Sequence, residues 1–298
     1  MLMTLSGHSA ATGGHTTAPR PLVIGATGMV GGLILRRLAE AGQQPIGVSR
    51  HPQAAPGIEW LTADLADPAG LALPSLETVY ATSPAALVAD AIPALAAHGM
   101  TRLVVFTSTS LETKQNSDDP DERELIRRWA DAERRIIEQC AARGIAWTVL
   151  RPTLIYAEGR DANVSRIAAL IRRFRFFPLA GGGEGLRQPV HADDLAQAAI
   201  AAAARPACFN KTYNLPGGET LSYREMVGRI FDGLGLRRMI IPLPGLVWAV
   251  VVPLAAKVVP GISGAIVGRM AKNMTFDLTP AATEIGWQPR PFRPDFRR

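Results

Sequence analysis

The chain has 298 residues, 47% apolar and 19% charged, which is enough to bury a large core and excludes a chain that stays disordered. Its 28 glycines and 23 prolines recur with no short period, so collagen-like, coiled-coil and solenoid architectures are excluded and one large or two modest globular domains remain. The net charge of +6 is uneven: residues 1–159 carry 13 basic and 16 acidic side chains and residues 160–298 carry 19 and 10, so a half at −3 precedes a half at +9 suited to an anionic ligand or surface.

Residues 1–20 lack the basic start and apolar stretch of a secretory signal and read as a disordered leader. From Pro21 short apolar runs alternate with amphipathic stretches. Strands are expected at 21–26, 45–50, 58–64, 78–83, 102–108 and 146–152, with helices at 29–42, 86–99 and 121–143. Continuous apolar strands separated by helices predict an α/β fold, a Rossmann-like doubly wound parallel sheet covered on both faces, over residues 21–157. After Pro152 the pattern loosens around helices near 163–175, 192–204 and 222–234, which predicts a smaller C-terminal substrate lobe over 158–298, interleaved with the sheet. The acidic entry Ser117-Asp118-Asp119-Pro120-Asp121-Glu122 suits the first turn of the helix that follows.

Residues 239–256 carry no charge but contain Pro242, Pro244 and Pro253, so they read as an apolar flap or as a peripheral membrane contact rather than a span. Two cysteines, Cys140 and Cys208, are too few for a disulfide framework, and no Cys/His cluster has metal-ligand spacing. A cytoplasmic protein without a metal is expected. The basic residues lack interleaved aromatics, and at 6% aromatic content a nucleic-acid partner is not expected.

Gly25-Ala26-Thr27-Gly28-Met29-Val30-Gly31-Gly32 follows a strand and opens a helix. That is the context in which glycines cradle a pyrophosphate: Gly25 for the tight turn, Gly28 for close approach to backbone amides, Gly31 for helix–strand packing. At the end of the second strand, where an acidic side chain would bond the ribose 2′-hydroxyl of NAD, stands Ser49-Arg50-His51. Arg50 can clamp a 2′-phosphate, so NADP(H) is preferred and NAD(H) is the alternative.

With these residues in place, the chain from Pro21 to about Trp287 resembles the extended or atypical short-chain dehydrogenase/reductase superfamily, in its NAD(P)-dependent epimerase/dehydratase branch. The likeness rests on GATGMVGG, Ala63-Asp64-Leu65, the LRPTLIY stretch ending at Tyr156, PVHADDLAQA at 189–198 and YNLPGGETLSYREMV at 213–227. The resemblance implies that Gly25, Thr27, Gly28, Met29 and Val30 form the dinucleotide loop, with Gly31 behind it. Ser49 and Arg50 would lie at the adenosine ribose, and Asp64 and Leu65 at the adenine. Ala81, Thr82 and Ser83 would line the far ribose, Thr107 and Pro152 would flank the nicotinamide, and Arg187 and His191 would face the substrate.

Relatives of this kind move a proton with a Tyr and a Lys four residues later. The corresponding helix reads IRRWADAERRIIEQC, with Trp129 and Glu133 at the nearest equivalents and neither residue type present. Thr109 matches the third family partner, and Tyr156 is the replacement proton donor to test. Two readings follow. One is an oxidoreductase or epimerase-like enzyme acting on a small carbonyl, quinone or nucleotide-sugar substrate, which could be anionic. The other is a dinucleotide-binding sensor or scaffold without turnover, resembling an accessory subunit of respiratory complex I.

Overall fold

The structure, a computed structural model, describes residues 20–244 and 270–297; nearly all of the expected leader and residues 245–256 of the apolar run lie outside the described residues. Seven apolar runs form one parallel sheet: β1 (Arg20–Ile24), β2 (Ile46–Ser49), β3 (Glu59–Thr62), β4 (Leu76–Ala81), β5 (Arg102–Phe106), β6 (Ala146–Pro152) and β11 (Lys211–Leu215). Their order across the sheet is β3-β2-β1-β4-β5-β6-β11. The chain therefore reverses its direction of winding between β1 and β4, and in such sheets the crevice at that point binds ligands.

Alternation along each strand fills two separate cores. Val23, Val104 and Leu150 pack on the face covered by α1 (Met29–Glu40) and α6 (Ala192–Ala204). Their neighbours Leu22, Ile24, Leu103, Val105 and Val149 pack on the other face, under α2 (Ala85–Ala97) and α4 (Pro120–Ala142). Both faces being buried is the physical reason these strands read as unbroken apolar runs. The acidic stretch before α4 ends as a helix cap, with Asp119 accepting from the backbone N–H groups of Asp121 and Glu122.

The expected strands and helices of the first 152 residues are all present, with ends shifted by a few residues; Arg20, placed in the leader, begins β1. The seventh strand, β11, lies in the sequence after the sixth helix yet pairs in parallel with β6 from Lys211↔Thr148 to Leu215↔Pro152. Thus α6 and β11, from the second half of the chain, complete the sheet.

A third core joins α5 (Val164–Phe174) and α7 (Tyr223–Gly233), with Phe177, Leu221, Phe292 and Phe296. Short strand pairs frame it: β7 (Ile155–Tyr156) with β10 (Val190–His191), β9 (Leu186–Arg187) with β12 (Leu221–Ser222), and β8 (Phe177–Ala180) with β13 (Ile240–Leu243). Two ionic devices hold this part to the sheet. Arg37 on α1 and Arg290 in the C-terminal segment both pair with Asp193 at the start of α6, and Arg290 also bonds Asp194. Arg102, buried on β5 without a carboxylate, donates to the carbonyls of Ala202 and Ala203 at the C-terminal end of α6, where the helix dipole is negative, and to Thr148 Oγ1.

Candidate dinucleotide and substrate site

The turn from β1 into α1 is built for close backbone approach. Gly25 has φ of 77°, in the left-handed region, and Gly28 N–H donates to its carbonyl at 2.9 Å. A Cβ on Gly25 would lie 2.4 Å from Thr82 Oγ1, and one on Gly31 would lie 2.3 Å from the Gly25 carbonyl oxygen. Thr82 in turn donates to the carbonyls of Ile24 and Gly25 at 3.1 and 3.2 Å, so the loops after β1 and β4 are one unit. Gly25 and Gly31 approach Thr82, and Gly25 also approaches Ser83. Gly28 caps α1 without a side-chain hydrogen bond, and the first turn holds no acid. With Thr27 and Gly28 exposed, the helix offers unshielded N–H groups and the positive end of its dipole. This cradle fits a dinucleotide pyrophosphate. Val30 is buried and serves packing, while Met29 is half-buried at the rim.

At the end of β2, Ser49 Oγ accepts from the His51 backbone N–H and turns the chain, leaving Arg50 exposed with no ion pair among the described residues. Asp64 is exposed beyond β3 and accepts from Ala66 N–H, and Leu65 is a core residue beneath it. Ala81 is fully buried at the end of β4 and acts as floor.

At the ends of β5 and β6 the structure reveals a cluster that pattern reading missed. Glu133, 5% exposed on α4, accepts from Thr107 Oγ1 at 2.7 Å and is gripped by the Arg151 guanidinium, whose Nε lies 3.1 Å from Oε2 and whose Nη2 bonds Oε1. Arg151 also donates to Glu112 at 2.9 Å, and Asn214 on β11 joins at 3.1 Å. Glu133 thus anchors the end of β5 by hydrogen bonding. The sequence signal was a Glu on the inner face of an amphipathic helix opposite an Arg in a strand. An open cleft of about 370 Å³ borders this pair, lined also by Leu111, Ala130 and Ile137. None of the fingerprint residues lines it, so it is separate from the dinucleotide cradle.

Thr109, the match to the third family partner, and Tyr156, the candidate replacement proton donor, are both buried. Thr109 is 6% exposed and its hydroxyl donates to the Pro152 carbonyl at 3.0 Å, so its proton is already engaged in joining β5 to β6. Tyr156 is 1% exposed, packed edge-on against His191 and Phe292 at 5.0 and 4.9 Å. Burial, with Glu158 adding, pushes its phenol well above the ordinary value, the wrong direction for a proton donor near neutrality. The other tyrosines are elsewhere: Tyr80 and Tyr213 are core residues, and Tyr223 faces the Arg187 guanidinium at 5.5 Å. On α4 itself Leu125 and Trp129 are exposed, and the helix has no Tyr or Lys.

The expected substrate contacts are also internally engaged. Arg187 is 5% exposed and donates to the carbonyls of Leu186 and Lys272, both at 2.7 Å. His191 caps α6: its Nδ1 accepts from Asp193 N–H at 3.1 Å, which leaves the proton on Nε2 to bond Glu158 at 3.3 Å. Burial raises the Glu158 carboxyl, but the His191 bond and charge together with backbone N–H bonds outweigh it and the net shift is downward. His191, Asp193 and Asp194 bring their ligand atoms within 4.8 Å of one another, yet both carboxylates are already neutralised by Arg37 and Arg290.

With the geometry in hand, comparisons agree on the class. A family model for NAD(P)H-binding proteins matches residues 25–206. A 2-alkyl-3-oxoalkanoate reductase of Stenotrophomonas maltophilia (strain K279a) is 29% identical over 254 residues, covering 73% of this chain and 76% of its own. An NAD(P)H azoreductase of Xenophilus azovorans is 27% identical over 230 residues, 72% of this chain and 73% of its own. Among solved structures, MoeE5 in complex with UDP-glucose and NAD superposes with a TM-score of 0.68 at 19% identity, covering 91% of this chain and 94% of that one. The UDP-glucose 4-epimerase of Thermotoga maritima, solved with UDP-glucose, gives 0.68 at 16% identity over the same shares. These two likenesses show the Rossmann-like fold.

Proposed function

The chain belongs to the NAD(P)H-binding family, as a protein of the extended short-chain dehydrogenase/reductase type, and on that premise we propose that it is a cytoplasmic, NADP(H)-preferring reductase of a small carbonyl or quinone. The reduced nicotinamide, when bound, supplies a hydride. The amides at the start of α1 hold the pyrophosphate, Thr82 fixes the loop against which it lies, and the free guanidinium of Arg50 receives the 2′-phosphate. Thr107, held by Glu133, and Pro152, held by Thr109, form the wall at the ends of β5 and β6. With no Tyr or Lys on α4, the proton for the substrate oxygen would have to come from water.

The observation that carries this reading is the uncapped, glycine-cradled start of α1 together with an unpaired Arg50. The engagement of Arg187 by main-chain carbonyls favours a small substrate over a nucleotide sugar, whose diphosphate would need that guanidinium. Two buried, free cysteines suit a reducing compartment. The test is loss of nicotinamide absorbance on mixing NADPH with β-keto acids, quinones and azo dyes. Multiple turnovers are expected with one class at least.

A second reading, a sensor or scaffold that binds the cofactor without turning it over, is favoured by an α4 that lacks Tyr and Lys. It predicts tight NADPH binding with no turnover across that panel.

A further inference from the structure

Beyond the sheet, α5 ends in Arg172-Arg173-Phe174, and the chain continues Arg175-Phe176 into β8. Phe174 and Phe176 are 43% and 40% exposed, with ring centroids 6.4 Å apart. Phe177 N–H bonds the Met239 carbonyl at 2.9 Å and β13 continues alongside β8, which sets Met239 and Ile241, 46% and 40% exposed, beside the two phenylalanines. Four of the six exposed large apolar side chains of the described residues are therefore gathered at this one corner. Neither core packing nor the dinucleotide site uses them.

Three guanidiniums around them have no acidic partner, whereas Arg238, beside Met239, is paired with Glu225 and Asp232. Arg173 lies over the Phe174 ring at 5.3 Å, and Arg173, Arg175 and Arg237 are exposed with no ion pair among the described residues. No Asp or Glu occurs in the described segments that build this corner, 162–183 and 233–244. Residues 239–244, which run through this corner, are uncharged. Aromatic and aliphatic tips inside a rim of unpaired guanidiniums match the two layers of an anionic lipid surface, acyl chains below phosphates. A protein partner would need acids to meet these arginines and a concave apolar seat, whereas a bilayer supplies both charge and depth without shape. Among the described residues no helix is long and apolar enough to cross a membrane, so the contact is peripheral.

We propose that the corner formed by Phe174, Phe176, Met239 and Ile241, rimmed by Arg173, Arg175 and Arg237, docks the protein on an anionic phospholipid surface. The test is co-sedimentation of the full chain with vesicles of phosphatidylcholine alone and with phosphatidylglycerol added. Binding is expected only to the anionic vesicles, weakening as salt rises. Replacing the three arginines (Arg173→Gln, Arg175→Gln, Arg237→Gln) should weaken it by about a hundredfold, at roughly fivefold per arginine. Phe174→Ser with Phe176→Ser should also abolish retention. Both variants should keep the NADPH affinity and melting temperature of the parent, which separates lost docking from lost folding. Equal sedimentation with neutral and anionic vesicles, or an arginine variant that binds like the parent, overturns the proposal. So does a parent that ignores vesicles but dimerises through the phenylalanines, because the corner is then an interface between copies.

Discussion

At the scale of single residues, the proposed preference for NADP(H) and the binding of either cofactor rest on different residues. Arg50 stands exposed past β2 with nothing to neutralise it, so a 2′-phosphate gains a charge-assisted bond that a 2′-hydroxyl does not. Arg50→Ala is expected to weaken NADPH by a factor of about 10 to 100, from roughly 1.5 to 3 kcal/mol for a hydrogen bond to a charged group, and to leave NADH nearly unchanged. Quenching of intrinsic tryptophan fluorescence with both cofactors checks this, and equal losses for the two would remove Arg50 from the 2′ position. Gly31 acts on both cofactors alike. Its Cβ would meet the Gly25 carbonyl at 2.3 Å and Thr82 Oγ1 at 2.8 Å, so Gly31→Ala must push the loops after β1 and β4 apart. The expected cost is about 1 to 3 kcal/mol of stability with loss of both NADPH and NADH binding. A variant that melts and binds like the parent would show that the cradle is looser than these distances.

At the scale of elements, the clamp that joins α1, α6 and the C-terminal segment makes a pH-dependent contribution. Burial raises the Asp193 carboxyl, but the Arg37 and Arg290 hydrogen bonds outweigh it, and its net pKa lies below the usual value. A carboxyl with a lowered pKa in the folded state stabilises fully above its unfolded value, near 3.9, and that stabilisation is lost as pH falls through the folded value. Asp193→Asn should therefore cost about 1 to 2 kcal/mol at pH 7, as expected for a partly exposed charged pair. Urea midpoints of parent and variant should converge below about pH 4. A gap that persists in acid would mean that packing, not charge, holds the C-terminal segment to α6. This clamp was invisible in the sequence because its partners are 156 and 97 residues apart. The sheet was legible for the opposite reason, since strands such as Leu103 to Phe106 are buried on both faces and must be continuously apolar. The fingerprint was legible too, because Gly25 and Gly31 answer a local steric demand. The internal engagement of Thr109, Tyr156, Arg187 and His191 was not: which partner a side chain finds depends on neighbours from other elements, as Thr109 finds Pro152 and Tyr156 finds Phe292.

At the scale of the molecule, the cradle draws together parts of the chain that the sheet and the Asp193 clamp already join. A dinucleotide held in this cradle would cross the carboxyl ends of β1, β4, β5 and β6, and the last two are bonded to each other by Thr107 and Thr109 and to α4 by Glu133. Binding to the folded state alone stabilises by mass action, about 2.7 kcal/mol when the ligand is at a hundred times its dissociation constant. For a chain of this size that corresponds to a rise in melting temperature of roughly 4 °C. NADPH at that excess should produce it, NADH at the same concentration should produce less, and Gly31→Ala should respond to neither. The rise should be shared by the transition that reports the C-terminal lobe, because α6 packs on the sheet and β11 completes it while their flanking segments belong to that lobe. Differential scanning calorimetry distinguishes the outcomes. A single transition that moves as a whole shows one cooperative unit; a second transition indifferent to NADPH shows that the lobe melts on its own and that α6 and β11 do not transmit the gain.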